Sequence, residues 1–325
     1  MDVSSVTPQP KPASAKVPQR RGPGFFKELK RNRTLYLMFL PVAVFFLAFA
    51  YFPMTGIVMA FKDFNYTDGV WMSPWNGLQN FSYFFVSGKA WLVTRNTLLY
   101  NVVFLTCYTV SSIIAAILIS EMTGKYFKKV AQSFMFLPYF ISWVVVAAFA
   151  YNFFNYDYGI INTVLRSFGM APIDVYSNGS YWYGILPVLY VWKWIGFGSV
   201  LYLAAISGMD QECFEAATID GANIFQKIWY MTLPMLRPTV IILVLLGVGR
   251  IMRGEFDMFY NLVGTNGLLM DKTDIIDTFV FRCLVGVQDF GMASSAGLYQ
   301  SVLCFVIIMV FNGLARKLDS DAALF

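Results

Sequence analysis

The sequence predicts an all-α membrane protein with six transmembrane helices. Of the 325 residues, 58% are apolar and only 13% are charged, whereas a soluble domain carries about 25% charged residues. The apolar residues are concentrated in six long runs, and each run has at least the roughly 20 residues that a helix needs to cross the hydrocarbon core. This composition requires lipid as the solvent for most of the surface.

The six predicted spans form one membrane domain over residues 35–318. They are predicted at residues 35–61, 95–120, 130–154, 182–207, 238–262 and 291–315. The fifth is the least regular because four charged residues interrupt it: Arg250, Arg253, Glu255 and Asp257. Residues 1–34 are predicted to be a cytoplasmic tail with an amphipathic entry into the membrane, and residues 319–325 a second cytoplasmic tail.

The distribution of Lys and Arg predicts that both termini are cytoplasmic. With the amino terminus inside, the inner segments carry more than twice as many Lys and Arg residues as the outer ones, and cytoplasmic loops are enriched in these residues. The net charge of +5 then reflects topology rather than a nucleic-acid surface. We therefore expect a multi-pass protein of the inner (plasma) membrane, with lipid around it and no nucleic-acid partner.

The residue types of common catalytic and metal sites are scarce. The chain has no His, which removes the commonest metal ligand and the commonest general base near neutral pH. Its four Cys residues fall in separate segments and form no CxxC pair, so no zinc site is indicated. The sequence predicts no catalytic residue, no metal site and no cofactor in this chain.

The loop between the fourth and fifth predicted spans, residues 207–238, has a helix–turn–helix pattern. Ser207 and Asp210 resemble a capping box that starts a helix, which we expect to run to about Ile219 and to end at Gly221 in a left-handed conformation. A second helix is predicted from four apolar residues at helical spacing: Ile224, Phe225, Ile228 and Trp229.

Two prolines follow this second helix, Pro234 and Pro238. They are expected to turn the chain into the fifth span, because proline interrupts a helix. The pattern as a whole predicts a rigid helix–turn–helix on the cytoplasmic face.

The spacing of residues in this loop resembles the EAA motif of ABC importer permeases. The matching positions are Glu215, Ala216, Ala217, Asp220, Gly221, Leu233 and Pro234, with Met231 where the family usually has Ile. Four further segments resemble the carbohydrate-uptake branch of that family: residues 77–81, 96–98, 137–142 and 158–162. Within this branch the chain is most similar to lipo-oligosaccharide and polysaccharide permeases, including those of alginate importers.

The resemblance implies a permease with a coupling helix that docks into a cleft of an ATP-hydrolysing subunit. It assigns ATPase coupling to the seven motif positions given above, with Glu215 in a polar contact to that subunit and Gly221 permitting the turn. It also implies three kinds of partner: a second homologous permease, a dimeric ATP-binding subunit and an extracytoplasmic solute-binding protein. The alternative is an amphipathic helix lying on the membrane, with Glu215 merely solvated.

The chain itself is not expected to hydrolyse ATP. It lacks the sequence Gly-x-x-x-x-Gly-Lys-Ser/Thr, whose loop cradles the phosphates of a nucleotide. ATP and Mg are therefore expected on the partner subunits, and this chain is expected to be a transport subunit rather than an enzyme.

Two basic residues are predicted near the middle of the membrane. Lys193 lies roughly 16 Å into the fourth predicted span and Arg250 about 18 Å into the fifth. Such residues usually face a cavity or a partner, so they predict a cationic, aromatic-flanked path for an anionic sugar. The predicted path comprises Lys193, Trp192, Trp194, Arg250, Arg253, Tyr260 and Tyr299. The alternative is internal pairing, such as Arg253 with Asp257.

Together these patterns predict a permease subunit of an ATP-driven importer of oligosaccharides that are acidic and alginate-like. An ion-coupled secondary sugar transporter is the main alternative, and it would need inverted repeats and a buried carboxylate on the ion path, which are not evident. A membrane-embedded transferase is a second alternative, and the absence of His weakens it.

Overall fold

The computed structural model describes residues 30–318 and is almost entirely helical over that range. The only extended pairing among these residues is an isolated bridge between Lys62 and Trp75. Most of the predicted amino-terminal tail, and all of the predicted carboxy-terminal tail, lie outside the described residues. The chain divides into two compact units, Met1–Thr55 and Gly56–Phe325.

The described part of the first unit is an apolar helix. Arg33–Phe46 is α-helical, and a π-helical turn follows at Leu47–Tyr51. Its large apolar side chains are exposed in the chain alone. A helix without a polar face or a buried stripe is typical of a segment surrounded by lipid.

The described residues contain five helices long and apolar enough to cross a membrane, or six if one bent pair counts as a single span. The five are Arg33–Phe61, Lys89–Glu121, Gly179–Ser207, Ile224–Val248 and Phe290–Leu314, and the bent pair is Lys125–Phe140 with Trp143–Phe154. We number them one to six in chain order, with the bent pair third. The predicted fold class of six membrane helices is confirmed.

The third span is sharply bent, which the prediction of one span over residues 130–154 did not include. Its two halves meet at 93°. A 3-10 turn at Leu137–Phe140 contains Pro138, and Ile141 is extended. The second half then begins as a new helix. Ser142 caps it, because its hydroxyl accepts a hydrogen bond from the Val145 amide at 3.4 Å. A proline followed by a new helix cap produces a bend of this kind.

The fifth span was predicted at the wrong position. It begins at Ile224 and ends at Val248, so Pro234 and Pro238 lie within the helix instead of preceding it. A π-helical turn at Ile228–Thr232 comes just before Pro234, and such turns absorb a local mismatch in the helical hydrogen bonds. The two prolines therefore do not separate the loop from the span.

Residues 249–255 form a non-helical segment after the fifth span, which we call the break. The short helix Phe256–Leu262 follows it. Arg250 thus lies beyond the end of its helix, and the prediction of a continuous helical span at this position is wrong.

The second, third and fourth spans form the packed centre of the second unit. A Cβ atom on Gly196 of the fourth span would clash with the Met135 carbonyl oxygen of the third. Small residues allow this close approach of membrane helices. Trp143, at the start of the second half of the third span, shares a buried cluster with Met258 and Phe259 from the helix after the break.

Short helices connect the spans at the end of the bundle opposite the 207–238 loop. They are Gln79–Val86, Ile160–Ser167, Met270–Thr273 and Ile276–Arg282. Asn96 of the second span donates to the carbonyl oxygens of Asp271 at 3.3 Å and Asp274 at 3.0 Å. These bonds fix the connection between the fifth and sixth spans against the bundle.

Candidate functional site

The first half of the 207–238 loop is a helix at Gln211–Ile219, which we call the loop helix. It begins at Asp210, whose carboxylate accepts a hydrogen bond from the Glu212 amide at 3.0 Å. The predicted start at Ser207 is wrong, because Ser207 is the last residue of the fourth span and its hydroxyl bonds the Leu203 carbonyl. The predicted end at Ile219 is confirmed.

Gly221 makes the turn after the loop helix. Its φ of +84° lies in the left-handed region, which other residues adopt at a cost, and a Cβ atom there would have nothing within 4 Å. The backbone conformation, rather than a lack of space, thus accounts for the glycine. A reciprocal cap between Asn223 and Gln226 starts the next helix, and Lys227 Nζ donates to the Thr218 hydroxyl at 3.2 Å across the turn.

The loop helix and the first turns of the fifth span expose large apolar side chains that have no packing role within the described part of the chain. Ile219 is 88% exposed, Phe225 is 78% exposed and Tyr230 is 74% exposed. A cavity of about 350 Å³ beside them is lined by Asp220, Gly221, Ala222, Gln226, Lys227, Tyr230 and Met231. An apolar patch rimmed by polar residues is typical of a protein interaction surface.

The coupling residues predicted from the motif lie on or next to this surface. Glu215, Ala216, Asp220, Gly221 and Pro234 are exposed, whereas Ala217 and Leu233 are half-buried. Leu233 and Pro234 belong to the fifth span, so the motif extends from the loop helix into a membrane helix. Movement of the loop can therefore pass directly to the fifth span.

Lys193 lies near the middle of the fourth span and is buried, with 6% of its surface exposed. Its Nζ donates to the carbonyl oxygens of Pro138 at 3.4 Å and Tyr139 at 3.3 Å, and also to that of Ile141. It lies 5.1 Å from the centre of the Trp143 ring. In this structure Lys193 forms hydrogen bonds to the backbone of the bend in the third span.

Trp143 connects this cluster to the break. Its indole Nε1 donates to Glu255 Oε1 at 3.2 Å, and Glu255 is the residue before the helix Phe256–Leu262. A cation, an aromatic ring and a carboxylate therefore join the fourth span, the bend and the break. We call Lys193, Trp143 and Glu255 the junction.

The break exposes two arginines, Arg250 and Arg253. Its backbone is fixed from the other side, where the Asp277 carboxylate accepts from the Gly254 amide at 2.7 Å. Gln300 of the sixth span donates to the Met252 carbonyl at 2.6 Å and to Asp277 at 3.1 Å. Burial raises the pKa of the Asp277 carboxyl, and these hydrogen bonds oppose that shift.

The internal pairing considered for these arginines is not formed. Within residues 30–318 the single ion pair joins Arg282 to Asp274, with 2.5 Å between Nη2 and Oδ2. Arg253 therefore does not pair with Asp257. The guanidinium groups of Arg250 and Arg253 are exposed, and the positive charge of Arg253 is one of the influences that oppose the raised pKa of the Asp277 carboxyl.

The predicted aromatic residues do not form one surface. Trp192 is 42% exposed and Tyr260 is 39% exposed. Tyr260 stacks on Phe256, with ring centroids 5.3 Å apart. Trp194 packs edge-on against Tyr139 of the bend, whereas Tyr299 accepts a hydrogen bond from Thr94 within another apolar cluster.

Three positioning residues were not predicted from the sequence: Trp143, Asp277 and Gln300. They lie 112, 23 and 48 positions from the break residues that they bond, and no local motif contains such pairs. The one available signal was Gln300, a polar residue in an apolar span, because polar residues at membrane depth usually have a specific partner.

Comparison with known proteins supplies the context for these features. The model of the family described as binding-protein-dependent transport system inner membrane component matches residues 108–320. This segment includes the 207–238 loop, the junction and the break. The chain belongs to this family.

Individual relatives agree with the family assignment. Protein LplB of Bacillus subtilis is 33% identical over 93% of this chain and 94% of its own length. The polygalacturonan/rhamnogalacturonan transport system permease protein YteP of the same species is 30% identical, over 91% and 94% respectively. This permease is therefore a transport subunit rather than an enzyme.

Solved structures agree as well. The permease is similar to a chain of a bacterial ABC transporter involved in the import of the acidic polysaccharide alginate, with a TM-score of 0.82 and 30% identity over 90% of this chain and 99% of that one. A second match, at 29% identity, a TM-score of 0.81 and coverage of 90% and 98%, is to the alginate transporter in complex with an alginate pentasaccharide-bound periplasmic protein. The protein is a permease subunit of a sugar ABC importer.

Proposed function

We propose that this permease carries acidic, alginate-like oligosaccharides from a solute-binding protein into the cytoplasm. The observation that carries the proposal is the pair of exposed arginines, Arg250 and Arg253, on the non-helical break after the fifth span. Cations within a membrane domain are costly and usually serve a path or a partner. Two guanidinium groups three residues apart suit successive carboxylates of a polyanionic chain.

Two exposed aromatic rings complement the arginines in this proposal. Tyr260 lies in the helix after the break and Trp192 in the fourth span, next to Lys193 in sequence. Aromatic faces pack against the apolar faces of sugar rings in the same way that they bury other apolar surface. The similarity to transporters described as importing alginate supports the same class of substrate.

The proposal assigns the 207–238 loop to the ATP-hydrolysing partner. The exposed apolar side chains of the loop, with Glu215 beside them, form the surface that we infer docks into a dimeric ATP-binding subunit, which binds ATP and Mg. The orientation is then fixed, with this loop and both termini in the cytoplasm. A second homologous permease completes the membrane part, and the solute-binding protein docks on the opposite face.

Substrate charge is tested by replacing the two arginines. In proteoliposomes containing the complete transporter, Arg250→Gln together with Arg253→Gln should lower kcat/KM for an alginate oligosaccharide roughly tenfold, because charge-assisted hydrogen bonds are lost. Transport of any neutral oligosaccharide of the same length should change little. Lys89→Gln, which removes an exposed cation at the start of the second span, is the control and should leave both substrates unaffected.

Two results would contradict the proposal. One is an equal loss for acidic and neutral oligosaccharides in the double variant, which would make the arginines structural. The other is a wild-type transporter that prefers the neutral oligosaccharide.

A further inference from the structure

The bend of the third span exposes backbone carbonyl groups inside a membrane domain. Ile141 is extended and the helix stops there, so the carbonyls of Tyr139 and Ile141 lie at a helix end, whereas the Pro138 carbonyl already accepts a hydrogen bond from the Ile141 amide at 3.1 Å. Non-helical backbone within a membrane domain is tolerated only where it is buried in protein or lines a water-filled cavity, and the burial of Lys193 beside these carbonyls indicates the first case. The bend therefore requires a donor from a neighbouring element.

Lys193 is that donor. All three carbonyls accept a hydrogen bond from its Nζ, and an ammonium group has three donors. The neighbouring Gly196 brings the fourth span into close contact with the backbone of the third at Met135. At this position of the fourth span, the Lys193 side chain reaches the bend. Its donors are used on the carbonyls of the bend and not on a substrate path.

The charge of Lys193 is balanced across the junction. The ammonium group lies over the Trp143 ring at 5.1 Å, and the same indole donates to Glu255 at 3.2 Å. Glu255 ends the break, whereas Trp143 starts the second half of the third span. The two non-helical elements of the membrane domain, the bend and the break, are thereby joined through one side chain.

Packing supports the same connection. The helix Phe256–Leu262 buries Met258 and Phe259 in the cluster that contains Trp143. The break is thus held at Glu255 by the junction, and at Met252 and Gly254 by Gln300 and Asp277. Arg250 and Arg253 are on a segment whose position depends on these two attachments.

We propose that Lys193 is a positioning residue, and that through Trp143 and Glu255 it makes the bend of the third span and the break after the fifth move as one unit. The sugar does not contact Lys193. Its role is to keep the break, and therefore the exposed arginines, in register with the bend during transport. This inference rests on import by the permease, but it does not depend on the charge of the sugar.

The test uses the complete transporter in proteoliposomes and three variants. Lys193→Met keeps the length of the side chain and removes its donors, Lys193→Arg keeps a cation with several donors, and Trp143→Phe keeps a ring and removes only the indole N–H. We expect Lys193→Met to lower kcat about tenfold, with KM unchanged and with the same factor for an acidic and a neutral oligosaccharide. Lys193→Arg should recover part of this loss.

Amide hydrogen exchange in the same complex provides a readout of position. Lys193→Met should raise exchange at residues 138–146 and also at residues 252–258, if the two elements are joined. Trp143→Phe should raise exchange mainly at residues 252–258. The double variant, Lys193→Met with Trp143→Phe, should show only slightly more exchange than Lys193→Met alone, because both changes interrupt one chain of contacts. Trp143→Phe provides this readout even if Lys193→Met does not fold.

Two outcomes would overturn the inference. The first is exchange that increases at the bend alone, which would make Lys193 a local cap. The second is a loss of transport by Lys193→Met that is confined to acidic oligosaccharides, which would make Lys193 a substrate contact. A wild-type transporter without preference for acidic sugars would refute the proposed substrate but leave this inference unaffected.

Discussion

The loop helix and the junction are opposite kinds of structure. The loop is held by bonds between residues no more than nine positions apart, and it leaves large apolar side chains exposed. The junction is held by bonds between residues 52 to 112 positions apart, and it buries a cation whose donors are all used. The loop is therefore built to receive another protein, whereas the junction is satisfied within the chain.

This difference separates two classes of defect. A change on the loop surface removes contacts with a partner and leaves the permease folded, because the side chains there have no internal packing to lose. A change in the junction leaves carbonyls or a carboxylate unsatisfied inside the membrane domain, which costs roughly 1–3 kcal/mol for each buried group. Partner binding and internal positioning can thus be measured independently.

The largest effect is expected from Gly221→Pro. Proline fixes φ near −65° and has no N–H, so it abolishes the left-handed turn and the hydrogen bond from the Gly221 amide to the Thr218 carbonyl. ATP-driven uptake in proteoliposomes should fall by more than about tenfold, while the amount of folded permease in the membrane stays near that of the wild type.

Gly169→Pro is the matched control for this variant. Gly169 also has a positive φ with no atom near a Cβ, and its amide bonds the Arg166 carbonyl, but it lies in the connection between the third and fourth spans. Uptake should be retained in this control. If both proline variants lose uptake equally, the effect of Gly221→Pro arises from general damage to the fold and not from coupling.

A smaller effect is expected from Glu215→Ala. Glu215 is exposed on the loop helix and bonds nothing within the described part of the chain, so its loss should weaken binding of the ATP-hydrolysing subunit about threefold to tenfold. The affinity can be measured by titrating that subunit onto the permease in nanodiscs. Glu212→Ala, in the first turn of the same helix, should have little effect, and equal losses in the two variants would show that only the total charge matters.

The sequence predicted the first, second, fourth and sixth spans and the turn at Gly221 because their determinants are local. The length of an apolar run identifies a membrane helix, and the turn after the loop helix is made by Gly221 itself. The bend, the end of the fifth span at Val248 and the junction depend on partners in other spans. Lys193 was recognised as an unusual residue, but its role depends on carbonyls at Pro138, Tyr139 and Ile141, which no spacing along the chain connects to it.

The native Cys213 offers the most direct test of the coupling surface. It is the exposed cysteine of the described residues and lies in the loop helix, whereas Cys107 and Cys304 are half-buried. Burial raises the pKa of the Cys283 thiol to about 11, so this residue is a poor nucleophile at neutral pH. A membrane-impermeant maleimide should therefore report on Cys213, with Cys213→Ser as the background.

The measurement compares labelling of intact cells, of inside-out vesicles stripped of the ATP-hydrolysing subunit, and of the same vesicles with that subunit restored. Cys213 should not be labelled from outside, should be strongly labelled in stripped vesicles and should be protected when the subunit is added back. Labelling of intact cells, or labelling of stripped vesicles that saturating subunit leaves unchanged, would contradict this prediction.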